Sequence, residues 1–429
     1  MTNNWLTGIY LTTDEVLKYP DYVERLRDEI GLNTVVLSFT GQLSEEVLAL
    51  SPYGGRTPTE EELSKLVIRH FDGRPIDPRE YPQAQALCGP GVAARGDDES
   101  FRRAVGQLKE AGLNVWTYGG AWTIRRLMFC PSRQDVQDWI EAVCVYWVTQ
   151  YDLDALDITH FRYPMGSFPL GLFGCTCSSC TAAAQELGYD MGAMVEDLQR
   201  AREGLRQLDG ARLGEVVRLG IGFFDVVHAL GLGSGVLDWV RFRCDLIVRN
   251  LARFRAAVHS AAPNKAFGTD TYPASMALTA GHDYRRWGEM ADFASPLVSH
   301  ISAFVCNTFI EWARFLQEEI PNLQEEDALQ LVYRFTGYDG MGLPETIAAY
   351  GADEPATLAY RIPTDDLVLR DLVKAKLYLP ADMPSYPIIH GEGWPPEAID
   401  RIVSEARRLG HNGIVWQGTA ELMEYDFKR

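Results

Sequence analysis

The chain has 429 residues, 46% of them hydrophobic and 23% charged, enough apolar material for a large buried core. Its 40 basic residues face 59 acidic ones, and a net charge of −19 argues against the basic face that nucleic-acid binding requires. No apolar run has the length of a membrane span, and the opening Met1-Thr2-Asn3-Asn4-Trp5 has neither a basic n-region nor an apolar h-region. The expectation is therefore a cytoplasmic protein with no nucleic-acid or membrane partner.

Short β-branched or aromatic runs alternate with longer helical ones. Trp5–Leu11 predicts a first strand, followed by a helix opening at Thr12-Thr13-Asp14. Thr34–Phe39 predicts the second. Residues 40–98 form an excursion with one helix near 59–70. A helix over Phe101–Ala111 leads to the third strand, Asn114–Gly119, and a helix over Ser132–Tyr151 to the fourth, Ala155–Phe161. Residues 165–262 read as a large helical insertion, a candidate lid or homo-oligomer interface. Lys265–Tyr272 predicts the fifth strand, a helix follows at 281–291, and Ala294–Ile301 predicts the sixth. Helical material fills 305–376. Tyr386–Glu392, a helix over Pro396–Leu409, and Gly413–Gln417 complete the series.

Strand–helix alternation of this kind predicts an α/β fold, a single (β/α)8 TIM barrel over residues 1–429, with the helical insertion after strand four. An open doubly wound sheet would place a glycine-rich turn after strand one, where this chain has Leu11-Thr12-Thr13-Asp14. No GxGxxG, P-loop, HExxH or GxSxG motif sits in a suitable context, so no organic cofactor is expected.

Cys130-Pro131-Ser132, a helix, Tyr151-Asp152-Leu153-Asp154-Ala155-Leu156-Asp157, Arg162-Tyr163-Pro164 and then Cys175-x-Cys177-x-x-Cys180 form a recognisable block. It resembles the uncharacterised glycoside-hydrolase-like TIM-barrel families, which carry a CPN…YDVDGI…RYP…CxCxxC pattern around strand four. Asp270-Thr271-Tyr272-Pro273 with His282-Asp283-Tyr284, and the segment Glu397 to Val415, are similar to the same group. The four-cysteine arrangement is also similar to the zinc site of family-42 β-galactosidases. The resemblance implies an enzyme acting on a small sugar or oligosaccharide. It departs at Thr159, where those families carry an acid.

The residues themselves point the same way. Thiolates are soft ligands, and Cys175, Cys177 and Cys180 with Cys130 as the fourth make a closed tetrahedral set for a structural Zn2+. Three solvent-facing thiols without a metal are the plainer alternative. On strand four, alternation places Asp157 and Thr159 on one face and His160 and Arg162 on the other. A carboxylate in mid-strand needs a partner, and a salt bridge to Arg162 or Arg125 is the structural alternative to a catalytic role.

His390-Gly391-Glu392-Gly393-Trp394 ends strand seven, and an aromatic beside a carboxylate at a strand end suits a sugar. Glu392 is the leading catalytic candidate, with helix capping as its alternative. Asp270 and Asp157 are candidate partners for the two-carboxyl chemistry of glycoside hydrolysis. His160, Arg162, His300, His390, Trp394, Trp416, Gln417, Tyr118 and Tyr272 are candidate substrate contacts, with Tyr10 and Trp122 as further rim aromatics. His160 or His300 as a base would suit a sugar lyase or isomerase instead. Loss of the strand-four acid leaves a non-catalytic carbohydrate-binding barrel as a third reading.

Overall fold

A computed structural model describes residues 5–69, 97–119, 123–124, 127–163, 173–300, 305–351, 362–390 and 394–417. Glu392, Trp122 and Arg125 lie outside the described residues.

Eight parallel strands form one sheet: β1 (Leu6–Leu11), β2 (Thr34–Ser38), β3 (Asn114–Gly119), β4 (Ala155–Ile158), β5 (Ala266–Thr271), β6 (Phe293–Pro296), β7 (Ile388–His390) and β8 (Gly413–Gln417). Neighbours in space follow the chain, with β8 beside β1. The ring closes between β6 and β7 through a parallel bridge from Ala294 to Ser385. There the Ala294 amide donates to Pro384 O and the Tyr386 amide to Ala294 O, both at 2.9 Å. The architecture is a (β/α)8 TIM barrel, as the alternation of elements predicts.

The helices cover the ring with one apolar stripe each. Asp98–Glu110 buries Phe101, Ala104, Val105 and Leu108, the spacing of one helical face, behind an Asp97 cap. Pro396–Leu409 buries Ile399, Ile402, Val403 and Ala406 and stops at Gly410 in the left-handed region. Between Ser178 and Ala261 the described residues form five helices, the longest being Ser234–Ala261. Among the described residues no single helix is long and apolar enough to cross a membrane.

Aromatic rings fill the barrel floor. Trp116, Phe293 and Tyr386 come from three separate parts of the ring, yet Trp116 and Phe293 lie 4.5 Å apart and Trp116 and Tyr386 5.5 Å apart. Gly268 makes room for this plug: a Cβ there would stand 2.2 Å from the Phe293 ring. Trp116 precedes Tyr118 by two residues on the same face of β3, so the plug lies beneath Tyr118 and the open end lies above.

Candidate active site and cysteine cluster

Strand β4 ends sooner than alternation predicts. It stops at Ile158, and His160 takes φ of 64°, a left-handed conformation rare for a side chain of this size. The chain therefore turns instead of continuing to Phe161. The expected separation of Thr159 from His160 and Arg162 onto opposite faces does not hold, because all three converge on one carboxylate.

That carboxylate is Asp270, at the end of β5. Its Oδ2 accepts from Thr159 Oγ1 at 3.2 Å and from Arg162 Nη1 at 3.3 Å, and its Oδ1 accepts from the His160 amide at 3.1 Å. Thr159 Oγ1 also meets His160 Nδ1 at 2.6 Å. Arg162 and Asp270 are both buried, and the Arg162 guanidinium lies 5.2 Å from the Tyr272 ring centroid. Burial pushes the Asp270 carboxyl up, but Arg162, His160, His282 and the His160 amide outweigh it and hold it below the usual carboxylate range.

Asp157 has the opposite character. It sits on β4 facing the barrel interior, where Tyr10 from β1 donates to its Oδ2 at 2.9 Å. Strands β1 and β4 are not neighbours, so this bond crosses the interior. Among the described residues no cation pairs with Asp157: of the two salt-bridge partners considered as the structural alternative, Arg162 pairs with Asp270 and Arg125 lies outside the described residues. Burial first, then repulsion from Asp270, push Asp157 up to about 8 against the pull of the Tyr10 bond. At neutral pH Asp157 is thus largely protonated. Its Oδ1 is buried and has no hydrogen-bond partner among the described residues.

The remaining rim residues gather from β3, β6, β7 and β8. Tyr118 packs edge-on against Tyr10, with ring centroids 5.0 Å apart. His300 Nε2 donates to Gln417 Oε1 at 2.6 Å, and its ring lies 6.0 Å from that of His390. Burial, then the neighbouring His390, lower His300 to about 3, so it is a neutral imidazole at physiological pH. Asp270 and Arg162 also act on His300, which ties this trio to the carboxylate pair. Trp416 is buried in the core on the strand face opposite Gln417, and Trp394 packs half-buried against the core.

Two buried residues here are not among the site residues expected from the sequence. His282 is wholly buried: its Nδ1 accepts from the Tyr272 amide at 3.0 Å, and its Nε2 donates to Phe161 O at 3.0 Å. It clamps the loop after β4 to the end of β5. It lies in a loop, where periodicity says nothing, although the His282-Asp283-Tyr284 motif contains it. Glu311, on the helix Asn307–Glu319, is one turn beyond Thr308, whose hydroxyl bonds to Tyr272. Burial pushes Glu311 up to about 8, and its Oε2 has no partner among the described residues. Within a helix it reads as an ordinary polar position.

The four expected cysteines meet in space. The Sγ atoms of Cys130, Cys175, Cys177 and Cys180 all lie within 4.8 Å of one another. Cys130 is 3.4 Å from Cys180 and 3.7 Å from Cys177, and Cys177 is 3.7 Å from Cys180. Tetrahedral zinc with Zn–S bonds of ~2.3 Å places sulfurs ~3.8 Å apart, so the donor set and its spacing fit that ion. Ser132 Oγ donates to Cys180 Sγ at 3.2 Å. The Arg133 and Arg243 side chains stand close enough to act on the cluster, which suits a site rich in thiolate charge.

No family model matches the chain, and no curated protein matches it. Among solved structures it is similar to the glycoside hydrolase domain of PgaB (BpsB) from Bordetella bronchiseptica, at 11% identity and a TM-score of 0.48, over 98% of this chain and 95% of that one. It is also similar to a β-galactosidase from the Antarctic haloarchaeon Halorubrum lacusprofundi, at 12% identity and a TM-score of 0.46, over 96% of this chain and 52% of that one. A β-mannanase from the blue mussel Mytilus edulis aligns at 10% identity and a TM-score of 0.39, over 98% and 89%. This chain spans about half the length of the β-galactosidase chain. These likenesses assign no residue a role and no activity to this chain.

Proposed function

We propose that the chain is a carbohydrate-active enzyme, a glycoside hydrolase working at the C-terminal rim of the barrel. One observation carries the reading. Two buried carboxyl groups on adjacent strands meet opposite surroundings: Asp157 has the Tyr10 hydroxyl alone, while Asp270 is ringed by Arg162, Thr159 and the His160 amide, an arrangement that favours a neutral Asp157 beside an ionised Asp270. Hydrolysis of a glycosidic bond needs such a division of labour between an acid and a base or nucleophile.

In this reading Asp157 supplies the proton. Tyr10 occupies Oδ2, so the proton resides on Oδ1, the oxygen without a described partner. Asp270 keeps that proton in place by repulsion and holds Thr159, His160 and Arg162 in register around the sugar. Glu392, two residues beyond His390, is the proposed nucleophile or base. His300, His390, Gln417, Tyr118 and Tyr272 line the remaining wall, with Trp394 following Glu392 by two residues in the chain.

The second reading is a sugar lyase or isomerase, with His160, whose Nδ1 meets Thr159 Oγ1 beside Asp270, or His300 as its base. We further propose that the cysteine cluster holds a structural zinc ion, with Cys130, Cys175, Cys177 and Cys180 closing its coordination sphere. It would tether the start of the helical insertion to the segment after β3.

A panel of aryl glycosides and oligosaccharides, assayed with wild type, Asp157→Asn and Glu392→Gln, tests the proposal. Each variant is expected to lose at least ~100-fold in kcat while remaining folded. Activity that survives both substitutions but not His300→Gln favours the lyase or isomerase. Tight sugar binding without turnover in the wild type leaves a binding protein.

A further inference from the structure

One carboxylate grips His160 at two points. Asp270 Oδ1 accepts from the His160 amide at 3.1 Å, and Asp270 Oδ2 accepts from Thr159 Oγ1 at 3.2 Å. The same Thr159 oxygen meets His160 Nδ1 at 2.6 Å. Backbone and ring of His160 are thus both tied to Asp270, the ring through a hydroxyl. His160 has φ of 64°, and a left-handed backbone on a residue of this size persists only where surrounding contacts over-determine it. Thr159 is β-branched, so its hydroxyl has few positions to take.

A count of protons fixes the direction of these bonds. A threonine hydroxyl has one hydrogen, and an ionised carboxylate only accepts. Asp270 Oδ2 also receives Arg162 Nη1 at 3.3 Å, so a buried cation stands on the very oxygen that faces Thr159. The carboxylate is therefore the acceptor, and the Thr159 hydrogen is committed to it. The Thr159 oxygen is left to accept, so at the 2.6 Å contact the hydrogen belongs to His160 Nδ1. With Nδ1 as donor, the lone pair of a neutral His160 ring lies on Nε2, across the ring from Thr159.

We infer that Asp270, acting through Thr159, holds His160 as the Nδ1–H tautomer, a base whose Nε2 takes up a proton at the rim. The inference rests on the rim being the catalytic site. In hydrolysis an O–H bond of water breaks, its proton joins Nε2, and the oxygen keeps the electron pair with which it attacks the sugar carbon. The imidazolium so formed keeps its Nδ1–H on Thr159 and is countered by the Asp270 carboxylate behind it. An aspartate fixes the tautomer of a histidine in the same way in a Ser-His-Asp triad, there by direct contact and here through a hydroxyl. His160 is the group that meets the reacting atoms, and Thr159 is a positioning residue. The arrangement also gives Thr159 a purpose: it links a deeper acid, Asp270, to the rim.

Nitrogen-15 NMR of the full chain tests this without a substrate. Long-range proton–nitrogen spectra at about pH 8.5, where an ordinary imidazole is neutral, report the tautomer of each histidine, and the His160 signals are those missing from His160→Gln. Wild-type His160 is expected to show Nδ1 as the protonated, pyrrole-type nitrogen and Nε2 as the pyridine-type one. Thr159→Val removes the link and should shift the ring towards the Nε2–H form that free histidine prefers. Thr159→Ser restores the hydroxyl and should restore the wild-type pattern. On an aryl glycoside that wild type hydrolyses, Thr159→Val should lose at least ~10-fold in kcat with KM within about twofold, and Thr159→Ser should recover it. An Nε2–H ring in wild type overturns the inference whether or not Thr159→Val folds. So does an Nδ1–H ring retained in Thr159→Val, or an unchanged kcat in a Thr159→Val protein whose tautomer has shifted. A wild type with the Nδ1–H ring that hydrolyses no glycoside sinks the glycosidase reading and leaves the Asp270–Thr159–His160 link standing.

Discussion

Tyr10 on the first strand donates to Asp157 on the fourth, Oη to Oδ2 at 2.9 Å, across the interior of the barrel. The bond fixes one carboxyl oxygen and leaves the other, Oδ1, buried without a described partner. An oxygen in that position is costly unless it is protonated or meets a ligand. The pair therefore defines both where the proton resides and where a substrate atom would approach.

Carbon-13 NMR titration of the aspartate carboxyls should separate the two acids. Asp157 is expected to titrate near 8, and Asp270 below its ordinary value of 3.8. The stability consequence follows by linkage. Asp157 holds its proton in the folded state over a range where the unfolded chain has released it, so this group removes stability as pH rises from about 4 to about 8. Asparagine mimics the neutral acid. Asp157→Asn should therefore gain thermal stability relative to wild type between pH 5 and about 8.5, and a difference independent of pH contradicts the assignment.

His282 should govern the acid side. Burial lowers it to about 4 from 6.5, so its contribution is intact above pH 6.5 and is lost as pH falls towards 4. His282→Ala removes the bonds to the Tyr272 amide and the Phe161 carbonyl in a buried loop, and should cost about 3 kcal/mol in urea unfolding at pH 7.5. Its acid limb should be shallower than that of wild type, since the titrating group is gone. An equally steep limb would move the effect to another histidine, such as His411, which burial also lowers to about 4.

Metal analysis of the purified protein should find one zinc per chain. Chelation under native conditions, or Cys180→Ser, should lower the melting temperature by several degrees and release that zinc. A protein that contains no metal and melts unchanged with chelator would return the cluster to four packed thiols.

The sequence makes the barrel legible because strand and helix periods are local properties. Strands β3 and β8 begin and end where their patterns predict, and the helix Pro396–Leu409 lies between Pro395 and Gly410 as its signals indicate. The site is less legible because it is built from distant contacts. The end of β4 depends on Asp270, 110 residues further along than His160, and no local rule predicts His160 in the left-handed region. A helix expected over 281–291 is broken into short turns, Tyr284–Arg286 and Trp287–Met290, just after His282, whose ring is committed to Tyr272 and Phe161. The opposite protonation of Asp157 and Asp270 is likewise invisible in a linear chain: both read as aspartates on predicted strands, and only burial and the position of Arg162 separate them.

A crystal structure of the chain soaked with a mixture of monosaccharides tests the sugar assignment most directly. The account predicts a pyranose ring at the C-terminal rim, with an oxygen in hydrogen-bond reach of Asp157 Oδ1 and others near Asp270 and Glu392. A sugar bound elsewhere, or a rim that stays empty at saturating concentration while Asp157 Oδ1 remains beyond reach, would contradict it.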